Sequence, residues 1–164
     1  MSEWSARIKG WLSVVGSWAV LQPVVENLAR LLAPRHRVGV FVVCVDREDR
    51  VLLLRHVLHP KAPWGLPGGW LNRNERPQDG ACREFREETG LEVRLGPVTR
   101  LDIEKEPWHI TIVFVGQASD GQIRLGREIA DHGWFSEGEL PAGTPPFVES
   151  AIRASLRFPG TTAA

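Results

Sequence analysis

The chain has 164 residues, of which 43% are hydrophobic and 24% charged, a balance typical of one globular domain with a real core. Lys plus Arg equals Asp plus Glu at 20 each, so no basic surplus is available for a phosphate backbone, and we expect no nucleic-acid partner. Two cysteines are too few for a disulfide framework or a metal cluster.

No apolar stretch reaches the roughly 18–20 residues that span a bilayer. Residues 10–25 are uncharged and follow Arg7 and Lys9, but no small-residue cleavage site comes after them. We therefore expect a cytoplasmic protein without stable membrane insertion.

The first 34 residues carry an apolar seam at helical spacing. Its members are Trp4, Ile8, Trp11, Val15 and Trp18, and a second set, Val14, Trp18, Leu21, Val25, Leu28 and Leu32, continues it. Pro34 ends the pattern. We predict an amphipathic helical extension over residues 1–34. Its Trp4, Trp11 and Trp18 side chains cover the domain's own sheet or form a homodimer interface, and a membrane surface or a partner protein is the alternative.

From Val38 onward the period changes to that of strands. Strands are predicted at Val38–Val45, Val51–Leu54, Val93–Ile103, His109–Gln117 and Asp131–Phe135, and helices at Pro77–Thr89 and Phe147–Arg157. Gly65, Pro67, Gly68 and Gly69 interrupt the next segment and leave its backbone free to bend around a ligand. Strands on both sides of a central helix favour a mixed sheet with helices on both faces.

Three carboxylates share one face of the predicted central helix. Glu84, Glu87 and Glu88 stand at positions i, i+3 and i+4. Such a cluster is unfavourable unless a cation neutralises it, and oxygen-only ligands suit hard ions, chiefly Mg²⁺. Arg83 is placed to pair with Glu75 or with a neighbouring carboxylate and to fix its orientation.

The segment from Gly69 to Leu91 resembles the signature of the Nudix hydrolase family, G-x5-E-x7-R-E-U-x-E-E-x-G-U, where U is apolar, at every constrained position. The lead-in Trp64–Gly69 and the later Trp134-Phe135 with Glu139–Pro141 also resemble the family. The resemblance implies an α+β fold, an α/β/α sandwich with a mixed sheet. It would occupy residues 35–158, between the extension at 1–34 and a short tail at 159–164.

The resemblance also implies roles for individual residues. Glu84, Glu87 and Glu88 would bind Mg²⁺, with Mn²⁺ as a substitute, and the Gly68 carbonyl would be a further ligand. Gly69, Glu75 and Gly90 would be structural positions of the signature, and Arg83 would belong to the catalytic set.

Many members of the family add a downstream acid as ligand or base. Glu128 is our candidate for it, with Glu104, Glu106 and Asp131 as alternatives. Glu84 and Glu128 are our candidates for the carboxylate that would accept the proton of the attacking water.

The implied reaction is hydrolysis of the diphosphate of a nucleoside diphosphate linked to another moiety. Pro107, 16 residues after Leu91, resembles a feature of the ADP-ribose pyrophosphatase group and ranks ADP-ribose and related sugar nucleotides first. Alternatives are a pyrophosphohydrolase of nucleoside triphosphates, including oxidised ones, and a non-catalytic nucleotide-binding module. The zero net charge of the chain disfavours RNA 5′ ends as the substrate. Substrate contacts are expected from Trp64, Trp70 and Trp108, by stacking on a base, and from Arg55.

Overall fold

The computed structural model describes residues 21–29, 32, 36–58, 63–105 and 108–158. The chain divides into two units, Met1–Arg35 and His36–Ala164. In the first unit, residues 21–29 are helical, and the side chains of Leu21, Val25 and Leu28 are exposed. The predicted seam at Trp4, Trp11 and Trp18 lies outside the described residues. Within the described part of the chain, no helix has the length and apolar character to cross a membrane.

The described residues of the second unit form seven strands and two α-helices. They are β1 (Arg37–Cys44), β2 (Val51–His56), β3 (Trp64–Gly65), β4 (Gly68–Trp70), α1 (Pro77–Thr89), β5 (Val93–Lys105), β6 (Trp108–Ala118), β7 (Ile129–Phe135) and α2 (Pro146–Leu156). One sheet is mixed, in the order β4-β1-β6-β5, because β1 pairs parallel to β6 and the other pairs are antiparallel. The other sheet has the order β3-β2-β7 and is antiparallel throughout.

Alternate residues of the strands enter two apolar cores. Val42, Leu52 and Leu54 pack with Ala81 and Phe85 of α1. Val43, Val51 and Leu53 pack with Val148, Ala151 and Ile152 of α2. Since successive side chains of a strand point to opposite faces, one layer of strands separates the two helices. The α+β class and the α/β/α sandwich with a mixed sheet are confirmed.

Helix α1 has the bounds that the sequence predicts. Pro77 occupies the first turn, where its missing N–H costs no hydrogen bond. Gly90 ends the helix with φ 72°, and its N–H donates to the Arg86 carbonyl at 2.8 Å. Glycine adopts this left-handed conformation without a Cβ penalty. The helix that carries the acidic residues is therefore fixed at both ends.

The segment before α1 forms two short strands, β3 and β4, which pair in different sheets. Trp64 pairs with Arg55 of β2, whereas Gly68 pairs with Phe41 of β1. The chain thus crosses from one sheet to the other between residues 65 and 68. At Gly68, φ is 150°, and a Cβ there would lie 2.2 Å from the Val40 carbonyl oxygen. Only glycine permits this close pairing.

Candidate active site

The acidic face of α1 lies against β4. Burial of Ala81 and Phe85 on the core side fixes the rotation of the helix, so that Glu84 and Glu88 face the chain at Gly68 and Gly69. A Cβ on Gly69 would lie 2.6 Å from the Glu84 carboxyl carbon. The glycine therefore allows the strand to approach the carboxylate.

Arg83 is the centre of the hydrogen-bond network at this face. Its Nε donates to Glu75 Oε1 at 2.8 Å and its Nη2 to Glu75 Oε2 at 2.9 Å. Its Nη1 donates to Glu84 Oε1 at 2.8 Å. The ion pair that the sequence predicts between Arg83 and Glu75 is present. Hydrogen bonds from Arg83, and then from the Asn72 N–H, lower the pKa of Glu75 to about 2. The carboxylates of Glu75 and Glu84 in turn raise the pKa of Arg83.

Glu88 is the most strongly perturbed acid of the site. Its Oε2 accepts the Gly68 N–H at 2.9 Å. Burial raises its pKa to about 8, the Gly68 hydrogen bond opposes the rise, and the negative charges of Glu84, Glu128 and Glu87 add to it. Burial is thus the main cause of the raised pKa, and the neighbouring carboxylates add a smaller repulsion that a bound cation would offset.

The donor set suits a hard divalent cation, but its carboxylates do not converge. In the described part of the chain, no three acidic, His or Cys side chains are already grouped as metal ligands. Glu84 accepts from Arg83, Glu88 accepts from Gly68, and the exposed Glu87 lies 3.5 Å from Arg83 Nη1. Each of these carboxylates is directed toward a nearby N–H donor of Arg83 or Gly68. Carboxylate oxygens are the ligands that Mg²⁺ prefers, so the residues fit this ion.

A cavity of about 670 Å³ opens beside these carboxylates. Its lining is Phe41, His56, Trp64, Gly65, Leu66, Gly68, Gly69, Trp70, Asn72, Glu84, Glu88, Glu128, Pro145, Phe147 and Val148. Three of these residues are acidic, and none of the described lining residues is Lys or Arg. One region of the wall is therefore anionic, and most of the remainder is aromatic or small.

The predicted site residues divide between this cavity and other surfaces. Trp64 and Trp70 line it, as do Gly68, Glu84, Glu88 and Glu128. Arg55 and Trp108 do not line it. Arg55 is directed toward Asp131, at 3.9 Å, and the Trp108 side chain is exposed at the start of β6. Of the alternatives to Glu128, Glu104 and Asp131 also lie outside the lining, and Glu106 is outside the described residues.

The loop that carries Glu128 is hydrogen-bonded to the end of α1. Arg124 N–H donates to the Thr89 carbonyl at 2.7 Å, and Gly126 N–H donates to the Glu88 carbonyl at 3.0 Å. These are among the carbonyls that the last turn of a helix leaves without an internal partner. On its other side, the Glu128 carbonyl accepts the Val57 N–H at 2.9 Å. Glu128 is thus tied both to the acidic helix and to the segment after β2.

Several residues of the cavity lining were not predicted as site residues. Among them are Phe41, His56, Asn72 and Phe147. Phe41 lies in an apolar strand pattern and Phe147 begins an amphipathic helix, so each has the signal of a core residue. His56 has no metal-ligand spacing to other histidines. Only the tertiary fold brings these side chains to one surface.

Comparison with known proteins identifies the family. A model of the NUDIX domain matches residues 35–155. A MutT-like protein of Streptomyces ambofaciens is 32% identical over 107 residues, which are 65% of this chain and 68% of that protein. The NAD-capped RNA hydrolase NudC of Salmonella heidelberg is 29% identical over 111 residues, but the match spans 64% of this chain and only 41% of that relative.

The fold comparison agrees. The crystal structure of the MutT NUDIX hydrolase from Burkholderia pseudomallei superposes with a TM-score of 0.66 at 25% identity, covering 74% of this chain and 98% of that one. The residues matched by the family model include the acidic helix and the strands around it. The chain belongs to the Nudix family of hydrolases, enzymes that act on pyrophosphate bonds.

Proposed function

We propose that this protein hydrolyses the diphosphate bond of a nucleoside diphosphate linked to another moiety, with ADP-ribose and related sugar nucleotides as the first-ranked substrates. One observation carries the proposal. A single cavity combines three acidic side chains, Glu84, Glu88 and Glu128, with a lining that contains no Lys or Arg among the described residues.

The charge of the lining bears on the substrate class. Glu84, Glu87 and Glu88 would hold Mg²⁺, or Mn²⁺ in its place, and the bound cation would neutralise phosphate charge and activate water. The described lining offers no Lys or Arg for a further phosphate. A diphosphate flanked by two uncharged groups therefore fits better than a triphosphate. The name of the NudC relative refers to an NAD cap, which is also a nucleoside diphosphate joined to a second group.

The chain's own residues have distinct roles in this proposal. Water attacks one phosphorus, the bond from that phosphorus to the bridging oxygen breaks, and a carboxylate accepts the proton of the water. We assign the proton to Glu128, because Glu84 already accepts a hydrogen bond from Arg83. Arg83 holds Glu75 and Glu84 in place, and Gly68 orients Glu88 through its N–H.

A panel of nucleotides with Mg²⁺ or Mn²⁺, with products identified by mass, tests the proposal. The expected products from ADP-ribose are AMP and ribose 5-phosphate. Glu87→Gln and Glu88→Gln are each expected to remove most of the activity and to retain the fold. Glu92→Gln is the matched control, because Glu92 follows the same helix but pairs with Arg86. Full turnover in both site variants would refute the site assignment.

Two alternatives predict other results in the same panel. A nucleoside triphosphate pyrophosphohydrolase would release inorganic pyrophosphate and leave ADP-ribose intact. A nucleotide-binding module would show thermal stabilisation by nucleotide without product under either metal.

A further inference from the structure

We propose that Phe41, Trp64 and Phe147 form an aromatic wall that binds the base of the nucleotide, with Phe147 as its main contact. This inference rests on the proposed function. It names the end of the cavity that receives the nucleoside.

The three rings come from separate elements and line the same cavity; Phe41 contacts Phe147, and Trp64 makes an edge contact with Phe135. Phe41 belongs to β1, Trp64 to β3 and Phe147 to the first turn of α2. Each is partly buried and packs against the core under α2, yet each also lines the cavity. The core therefore anchors part of each side chain and leaves the remainder accessible to a ligand.

The Phe147 ring is held in place by neighbours on two elements. It makes an edge contact with Phe41, with centroids 5.6 Å apart and planes at 64°. The Arg100 guanidinium carbon lies 5.3 Å from the centre of the ring. Arg100 is in turn paired with Asp102 at 2.7 Å and hydrogen-bonded to Ser150. A ring fixed before binding loses little conformational entropy when a ligand stacks on it.

The aromatic wall and the carboxylates meet at Gly68. A Cβ on Gly68 would lie 2.8 Å from Phe41 Cδ1, and the Gly68 N–H donates to Glu88. A nucleotide whose base contacts the aromatic wall therefore has its phosphates close to the acidic region. The three wall residues themselves carry no charged group that would bind a phosphate, and the neighbouring Arg100 is already paired with Asp102 and lies outside the cavity lining.

The chemistry of the wall selects a planar ring over a sugar. Aromatic side chains stack on any base, because every base has a flat π-face. An uncharged aliphatic sugar lacks this flat face. The wall accordingly provides affinity for the nucleoside half of the substrate.

Equilibrium binding of AMP and ribose 5-phosphate in the presence of Mg²⁺, measured by calorimetry, tests the inference without any catalytic step. The wild-type protein is expected to bind AMP more tightly than ribose 5-phosphate. Phe147→Leu is expected to raise the Kd for AMP about tenfold and to leave that for ribose 5-phosphate unchanged. Phe147→Tyr should restore AMP binding. Phe158→Leu is the matched control, since Phe158 follows the other end of α2 and lies outside the cavity lining.

Equal wild-type affinities for the two ligands would overturn the inference, whatever the state of any variant. So would an unchanged AMP affinity in a folded Phe147→Leu protein, or an equal loss for both ligands. AMP selectivity that depends on Phe147, in a protein that hydrolyses no nucleotide, would support the aromatic wall and refute the proposed function. Hydrolysis of ADP-ribose by a protein without that selectivity would support the proposed function and refute the aromatic wall.

Discussion

Arg83 and Glu75, eight residues apart, form a two-pronged ion pair in which Nε and Nη2 each donate to one carboxylate oxygen, at 2.8 and 2.9 Å. The pair joins the turn before α1 to the acidic face of that helix. The third nitrogen of the same guanidinium donates to Glu84, also at 2.8 Å. One side chain thus fixes a structural acid and a candidate ligand together, which only the planar fork of arginine can do.

Arg83→Lys is therefore expected to be far from conservative. A lysine ammonium keeps the charge but cannot serve both oxygens of Glu75 and the oxygen of Glu84 at once. We expect activity to fall about 10- to 100-fold, the range usual for residues that orient metal ligands. Steady-state kinetics measures the loss. Arg86→Lys is the control, because its pair with Glu92 is exposed on both sides. Equal activity of the Arg83→Lys and wild-type proteins would contradict the role given to Arg83.

Acid should destabilise the protein in part through Glu75. Its pKa is about 2 in the folded state, mainly because of Arg83, against an ordinary value of 4.5. A carboxyl with a depressed folded pKa stabilises the fold above its unfolded pKa, and that contribution is lost as the pH falls from 4.5 toward 2.

Thermal unfolding of wild type and Glu75→Gln across this pH range checks the effect. The wild type should be the more stable protein at neutral pH, and the difference in Tm should shrink as the solution is acidified. A difference in Tm that stays constant with pH would show that the charge of Glu75 is not the cause.

Glu88 should have the opposite pH dependence in the metal-free protein. Burial raises the pKa of Glu88 in the folded state to about 8, from an ordinary value of 4.5. Between these two pH values the folded state keeps a proton that the unfolded state has lost. The stability associated with Glu88 is full below its unfolded pKa and is lost as the pH rises toward 8. In EDTA, Glu88→Gln should raise Tm at pH 8 by several degrees and change it less at pH 5. It should also reduce the stabilisation that added Mg²⁺ gives.

Calorimetry in EDTA at the two pH values, followed by titration with Mg²⁺, measures both effects. Glu92→Gln is again the control, as an exposed acid beyond the end of the same helix. A lower Tm of Glu88→Gln at pH 8 would mean that the carboxylate is not destabilising in the free protein.

Gly126 should be intolerant of a side chain, although it lies in a loop. A Cβ there would be 2.5 Å from the Glu87 carbonyl oxygen, on the backbone of α1. Gly126→Ala is expected to push the loop and Glu128 away from the helix, to cost about 1–3 kcal/mol of stability and to lower kcat. Gly138→Ala is the matched control, because nothing lies within 4 Å of its Cβ position. Denaturant unfolding and kinetics of both variants decide the point. Equal stability and equal kcat of the Gly126→Ala and Gly138→Ala proteins would show that the loop is not held against α1.

The sequence predicts best what is set by local spacing. The bounds of α1, the shared face of Glu84 and Glu88 and the pairing of Arg83 with Glu75 all follow from a few residues of one helix and its entry turn. Helical periodicity fixes which side chains are neighbours before any tertiary contact forms.

What the sequence does not predict depends on partners far along the chain. The strands β3 and β4 are two and three residues long, and pairing with β2 and β1 defines them. Phe41 and Phe147 touch only because β1 and α2 share a core. The separation of the three α1 carboxylates also escapes a spacing argument, since it reflects which donors are within reach of each side chain.

The acidic and aromatic regions of the cavity are built from different stretches of the chain. Residues 68–88, with the Glu128 loop, provide the acids and their supporting hydrogen bonds, whereas Phe147 belongs to the last helix. Replacing Phe147 reshapes the cavity without breaking any hydrogen bond of Arg83. Substrate choice can therefore diverge between relatives, or be redesigned in the laboratory, through the last helix while the apparatus for bond cleavage is inherited intact.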